Sequence, residues 1–498
     1  MINKLIYFLL FLVMLANGNL VSSKNFVDKF SGSIVSCNIT NEINSKKLVD
    51  NIIYFEEENI FYKRVYKNLT PEMFGAKGDG KHDDYQAIQD MLDKGEEGCV
   101  FYFNSKKTYY NAFANNTLWI EPMKRNIWQR KKGAKFLFNG AKFRRRMPEW
   151  NDKNRKSNYN EGQYYTDDHT ALLYLTGNNY IIDKADFNSN VPIGTLLDED
   201  GNETKIKEYA IGSCLEMGLW IENCNNITIT NSTFSNSVFP IFVENCTNLK
   251  SENVNLRYAA QASKRIHSKD QALGGGIKLI KSKNVNLINI NGYRNLNDTV
   301  EIETLNSQIT VNGKSENDYA NSLVIISSED IKLDWEAKNI INGSGVLIKS
   351  SDPNEIGTKN ISGKIKIDNA SWCGVLIWLD KSSSNNLDNI NLQIDTNNTG
   401  YTGLFVNNES EQKIISKVKI DHTSGNDGMY SGFTRLFNNT IEGNVNGTNK
   451  DSSRIAAKAT GTTRLNTNSP LLNFSFTSKE NQKLRYEIEK DFKATIKQ

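Results

Sequence analysis

The sequence predicts an all-β protein, a right-handed parallel β-helix closed at its N-terminal end by a short α-helix. Three observations predict it. The segments GLWIENCNNITITNSTF, PIFVENCTNLKSENVNL, GIKLIKSKNVNLININ and SLVIISSEDIKLDWEA repeat one unit: a small residue, an alternating apolar strand, a polar turn and a second alternating strand. Cys224 and Cys246 stand at matching places in two units and lie 22 positions apart, about one solenoid coil. No long helical pattern interrupts the array, which disfavours a strand-and-helix repeat such as a leucine-rich horseshoe.

In chain order, residues 1–18 (MINKLIYFLLFLVMLANG) carry Lys4, an apolar run over 5–15, and small Ala16 and Gly18, the pattern of a signal peptide for export. The run is shorter than the ~20 apolar residues a membrane span requires. Residues 19–67 mix charges with short apolar runs and read as a leader segment. Residues 68–450 form the β-helix, and the polar stretch 451–498 reads as a C-terminal cap or tail.

The stretch NLTPEMFGAKGDGKHDDYQAIQDML, residues 68–92, begins the solenoid. Gly75, Gly78 and Gly80 supply positive-φ positions to a loop, and Asp83 or Asp84 is placed to cap the helix that follows. Ala87, Ile88, Met91 and Leu92 share one face of that helix at three-to-four spacing. With the following CVFYFNSKKTYYN, this stretch resembles the N-terminal signature of the pectate-lyase superfamily, which is shared by polygalacturonase-like hydrolases, polysaccharide lyases and phage tailspikes. The resemblance implies the fold, and it implies structural roles for Asp79, Asp83 and Asp84. The polygalacturonase-like branch also carries Asn-Thr-Asp, an Asp pair and Gly-His-Gly at the ends of successive groove strands. Here those places read LEM before Gly218, VF before Pro240, and Gly274-Gly275-Gly276. No catalytic residue therefore transfers by resemblance.

A net charge of +3 gives no general attraction to nucleic acid. Locally, residues 124–156 hold thirteen Lys/Arg against Glu149 and Asp152, a patch suited to an acidic partner. Six cysteines are too sparse for a disulfide scaffold; Cys224 and Cys246 read as stacked buried thiols close enough to permit a bridge. No CxxC or HExxH spacing marks a metal centre, so no metal or cofactor is expected, although the resemblance admits calcium held by acidic groove residues. The assembly is read as a monomer or homotrimer.

Alternation sends Leu219, Ile221, Ile241, Val243, Ile277 and Leu279 into the core, and the residues between them outward. One outward row then holds Trp220, Phe242, Lys278 and Glu301; the next holds Glu222, Glu244 and Glu303. Tyr174 joins the first row under a register one residue different. Exposed Trp220 and Phe242 suit a sugar platform, because pyranose C–H faces pack on aromatic rings. Glu222 and Glu244, one coil apart, approach the roughly 5–5.5 Å separation of a retaining carboxylate pair. Insertions at about 144–169, 188–213 and 257–276 each follow an equivalent strand, after Phe143, Phe187 and Leu256, and should wall one groove. The last insertion brings Lys264, Arg265, His267 and Asp270 before Lys278, a set that supplies the base and the cation a polysaccharide lyase needs. Arg144, Arg145, Arg146, Arg257 and Arg265 are the expected contacts to substrate carboxylates. The expected function is a secreted protein that binds and cleaves an acidic, uronate-containing polysaccharide, lyase ahead of hydrolase. The alternative is a non-catalytic glycan-binding or structural spike β-helix.

Overall fold

The computed structural model describes residues 23–112, 128–130, 133–146, 170–190, 193–194, 209–212, 216–259, 261–262, 274–351, 356–410, 412 and 414–423. Beyond these it describes the strand segments 432–437, 441–449, 455–460, 471–478, 485–488 and 493–497. Among the described residues one sheet of 30 strands dominates, and its members pair in parallel with the coil before and the coil after. This is the expected parallel β-helix. Its core runs continuously from Ile88 and Phe101 through Leu219, Ile241, Ile277 and Val300 to Val418. All six core positions read from the alternation are at most 1% exposed.

The Asn-rich composition follows from the coil corners. Asn226, Asn248, Asn284, Asn253, Asn289, Asn360 and Asn389 all hold positive φ, a region Asn tolerates better than other non-glycine residues. Their side chains bond from coil to coil: Asn226 Nδ2 donates to Asn179 Oδ1 at 2.7 Å, and Asn389 Nδ2 to Asn360 Oδ1 at 2.8 Å. Each bond ties a turn to its neighbour.

The helix spans Tyr85–Lys94 and buries Ile88, Met91 and Leu92 in the same core as Phe101 and Tyr109. Asp84 occupies the N-cap position without capping by its side chain. Its carboxylate instead accepts from Lys77 N (2.7 Å) and Tyr110 N (3.2 Å), tying the glycine loop to the next strand. Upstream, strands Ser23–Val27, Ile34–Ile39, Tyr54–Glu57 and Ile60–Arg64 form an antiparallel sheet of their own, where the sequence showed only a leader. At the other end the coil ladder continues past 450. Ile455–Thr460 and Leu471–Ser478 pair in parallel with preceding coils, and Lys493–Lys497 extends the ladder further. The stretch read as a cap or tail therefore carries coil strands; its polar composition concealed them.

Phe143, Phe187, Phe234 and Leu256 are in register on successive coils, so the three insertions do leave from one equivalent position. Two of them meet: Ile211 and Gly212 pair in parallel with Gln261 and Ala262. The first, beyond Arg146, lies outside the described residues, as do the signal-peptide stretch and residues 263–273.

Candidate functional site

Five successive strands, Thr170–Asp183, Glu216–Thr230, Phe239–Glu244, Gly275–Ile280 and Asp298–Glu303, place their outward residues in rows. The first row reads Tyr174, Trp220, Phe242, Lys278, Glu301. The second reads Thr176, Glu222, Glu244, Ile280, Glu303. Gly275 and Asp298 stand opposite each other at Phe239's level, at the start of their strands.

Trp220 and Phe242 face away from the main core as expected, yet each is only 8% exposed. They form a second apolar cluster with Tyr174, Met217, Val238 and Phe239, and Tyr258 packs against it. Tyr258 stands at the root of the third insertion, so that root itself covers the rings. The rings are therefore a packed wall rather than an open platform. Tyr174 donates its hydroxyl proton to Glu222 Oε2, and Glu222 and Glu244 lie directly in register.

Next to this wall the row becomes charged. Lys278 Nζ lies 3.2 Å from Glu301 Oε1 and 2.5 Å from Glu303 Oε2. Burial pushes the Glu301 carboxyl up, Lys278 pulls it back in part, and Glu303 raises it again, leaving it at about 7. Burial works to lower Lys278, but Glu301 and Glu303 outweigh it and leave its pKa raised. Asp298 is 3% exposed, and burial, then Glu301 and Asp318, hold its carboxyl well above the usual range. Its Oδ1 is buried without a hydrogen-bond partner. Asp318 is likewise pushed up to about 7 by burial, against the bonds it accepts from Thr299 and Asn295.

The glycine run shapes this spot. A Cβ on Gly276 would stand 2.4 Å from Thr299 O, which makes glycine obligatory for coil-to-coil contact there. A Cβ on Gly275 would meet Glu301 Oε2 at 3.6 Å, so its absence opens space beside that carboxyl.

The arginines expected to meet substrate carboxylates are used otherwise where they are described. Arg145 is fully buried and donates to Ala171 O at 2.6 Å. Arg144 makes a two-pronged pair with Asp186, at 3.0 and 3.2 Å. Neither is available as expected, because the strand Lys142–Arg146 runs inside the wall of coils. Arg257 is exposed at the end of Thr247–Arg257, in register with Ser235 and Tyr293 and so on a different face from Trp220. Arg146 has no described side chain, and Lys264, Arg265, His267 and Asp270 lie outside the described residues.

Calcium does not fit here. Lys278 occupies the position between Glu301 and Glu303, and among the described residues no three His, Cys, Asp or Glu side chains converge on a metal position. Cys224 and Cys246 are buried free thiols. A concavity of about 460 Å³ opens elsewhere, lined by Asn312, Lys314, Asp334, Glu336, Lys364 and Lys366 among others. Its charges include solvent-exposed pairs such as Lys366–Glu336, whereas the buried, proton-retaining carboxyls are on the ladder, which is where we place the site.

Fold and site together define the class, a single-chain parallel β-helix with a half-apolar, half-charged outward ladder. No family model matches the sequence, and no curated protein does. Solved structures of similar fold include a family 28 exopolygalacturonase from Yersinia enterocolitica, 13% identical over 85% of this chain and 80% of that one, with a TM-score of 0.47. The mannuronan C-5 epimerase AlgE6 A-module of Azotobacter vinelandii is 14% identical over 86% of this chain and 98% of its own, TM-score 0.48. The enzymatically active domain of bacteriophage CBA120 tailspike protein 2 is 11% identical over 86% of this chain, TM-score 0.48, and this chain spans 55% of that one.

Several residues of the charged end escaped the sequence reading. Asp298 and its neighbour Asn321 stand before the first alternating residue of their strands, where a core-based reading assigns no direction. The only signal was that Asp298 matches the level of the glycine run.

Proposed function

We propose that the protein is an exported polysaccharide-cleaving enzyme acting by acid-assisted hydrolysis at the Lys278–Glu301–Glu303 cluster. One observation carries this reading: a buried carboxyl held near 7 beside a second carboxylate on the same outward face. Glu301 is the general acid. It gives its proton to the glycosidic oxygen as the C1–O bond breaks and the bonding pair moves to that oxygen. Lys278 touches both carboxyls, so they lie closer than the roughly 6.5–9.5 Å of an inverting pair, which supports retention with the ammonium swinging aside as the sugar enters between them. Glu303 is then the nucleophile that bonds to C1, and water later opens that bond with Glu301 taking its proton. Asp298, whose buried Oδ1 has no hydrogen-bond partner, supports this reading as a second proton-retaining carboxyl beside Glu301.

The sugar at the cleaved bond is read as neutral. Glu222, Glu244 and Glu303 face it with Lys278 alone as described counter-charge on these two rows, so a uronate there would meet repulsion. β-Elimination is the second reading. Its support is the composition of the 257–276 insertion, where Lys264, Arg265 and His267 supply a base and a cation.

The test is incubation of the secreted protein with neutral and uronate polysaccharides, following reducing ends, unsaturated-product absorbance and anomeric configuration by NMR. Reducing ends without new absorbance, lost in Glu301→Gln, are expected. New absorbance with a uronate polymer would replace hydrolysis by elimination, and no product from any glycan would remove the enzymatic reading.

A further inference from the structure

The rows that carry Lys278 and Glu301 continue through later coils and end in a second aromatic group. From Glu301 the register runs through Val324, Leu347 and Leu376 to Phe405; from Glu303 it runs through Ile326, Lys349 and Trp378 to Asn407. At the edge where these strands begin, Tyr401 N bonds to Trp372 O, stacking the two residues on consecutive coils. Trp372, Tyr401 and Phe405 form one ring cluster, with centroids 5.6 to 6.3 Å apart. Trp372 is 40% exposed, whereas Trp220 and Trp335 are 8% and 2%.

Two polar atoms beside the rings have no partner. Trp378 Nε1–H, a donor, and Asn407 Oδ1, an acceptor, are buried and unbonded on residues in register one coil apart. The nearby charges are already engaged. Lys349 Nζ sits 4.3 Å from the Trp378 ring centre and 3.3 Å from Asp380 Oδ2, and Asn407 Nδ2 donates to Glu409 at 2.9 Å.

From this arrangement we infer a second, non-catalytic glycan site that takes an uncharged pyranose. A sugar hydroxyl is donor and acceptor at once, so one pyranose of a chain can accept from Trp378 Nε1–H and donate to Asn407 Oδ1 while the C–H face of a neighbouring pyranose lies on Trp372, six positions back and just before the same strand begins. With charges paired, nothing here selects an anionic sugar. Four coil steps separate Phe405 from Glu301, roughly 19 Å at about 4.8 Å per step. One polysaccharide chain lying along the ladder reaches both places. The inference shares with the proposed function only the class of ligand, and it requires no catalysis.

The experiment is affinity electrophoresis of the full chain through gels holding neutral or uronate polysaccharides, with Glu301→Gln as background so that no substrate is consumed. Trp372→Ala should weaken retardation by a neutral polysaccharide at least tenfold. Trp378→Phe, which keeps the ring and removes the donor, should weaken it several-fold. Both should leave activity on short oligosaccharides unchanged in the Glu301 background restored to wild type. If the parent is retarded and neither variant differs from it, this site is refuted while the first stands. If the parent binds no glycan in any gel, the ligand class fails for both sites. If Trp372→Ala does not fold, Trp378→Phe decides the matter alone.

Discussion

Glu301→Gln separates the chemical from the structural consequences of one buried carboxyl. An amide fills the same volume but cannot act as an acid, and losing a general acid costs on the order of 10²–10⁴-fold in rate. In the wild type the rate should fall tenfold per unit above about pH 7, because Glu301 must hold its proton and its pKa is about 7. The same shift sets a stability change. The carboxyl is raised from 4.5 to about 7 on folding, so the folded state keeps a proton that the unfolded chain releases. That contribution is complete below 4.5, declines as pH rises, and is lost above about 7. At about 1.4 kcal/mol per pKa unit it is on the order of 3 kcal/mol. The variant lacks this titration. Its melting temperature relative to wild type should therefore climb between pH 5 and pH 8, while its activity stays low throughout. Reducing-end kinetics and thermal unfolding at matched pH values measure the two effects. Activity within a few-fold of wild type, or a melting difference that ignores pH, would refute the assignment.

Lys278→Met removes the ammonium that holds Glu301 down, so the alkaline limb of any remaining activity should move above 7 in a pH–rate profile. Gly276→Ala brings a methyl group to 2.4 Å from Thr299 O and should cost about 1–3 kcal/mol in chemical unfolding. Gly275→Ala meets only ordinary contacts; it should unfold as wild type but cleave more slowly, because it fills the space beside Glu301. Trp220→Ala deletes a buried ring and should lower stability by roughly 3–5 kcal/mol, so reduced glycan binding in that variant should track thermal unfolding. Maleimide should label Cys224 and Cys246 only after denaturation, since both are buried thiols.

Register was readable in the sequence because two periods agree. The alternation of strand residues and the recurring small residue before each strand together align Trp220 with Phe242, Lys278 and Glu301, and the folded chain keeps that alignment. Exposure was not readable, because it depends on what another segment covers. Tyr258 lies against the Trp220 cluster, and nothing in the local pattern around Trp220 announces that contact. Charge failed for a related reason. Arg144, Arg145 and Arg146 look alike in the chain, but parity directs Arg145 inward to Ala171 O, and coil stacking brings Asp186 to Arg144. A count of basic residues carries neither fact. Trp372 and Tyr401 went unnoticed because they stand in turns, outside the repeat that guided the reading.

The buried rings acquire a different purpose once they are seen as packed. Lys278 Nζ lies 5.8 Å from the centre of the Phe239 ring and follows Phe242 on the next coil. The aromatic cluster thus forms one side of the environment in which Lys278 and Glu301 sit. Removing water from that side is what raises a carboxyl toward neutrality, since burial is the largest cause acting on Glu301. Open stacking platforms would admit water and leave Glu301 an ordinary carboxylate, unable to hold a proton for a leaving group. Covered rather than open, Phe242 and its cluster neighbour Phe239 therefore take a role other than the one expected of the rings: they close the Lys278 side of the environment that holds Glu301. The stacking surface expected of them falls instead to Trp372, where exposure and unbonded polar atoms occur together.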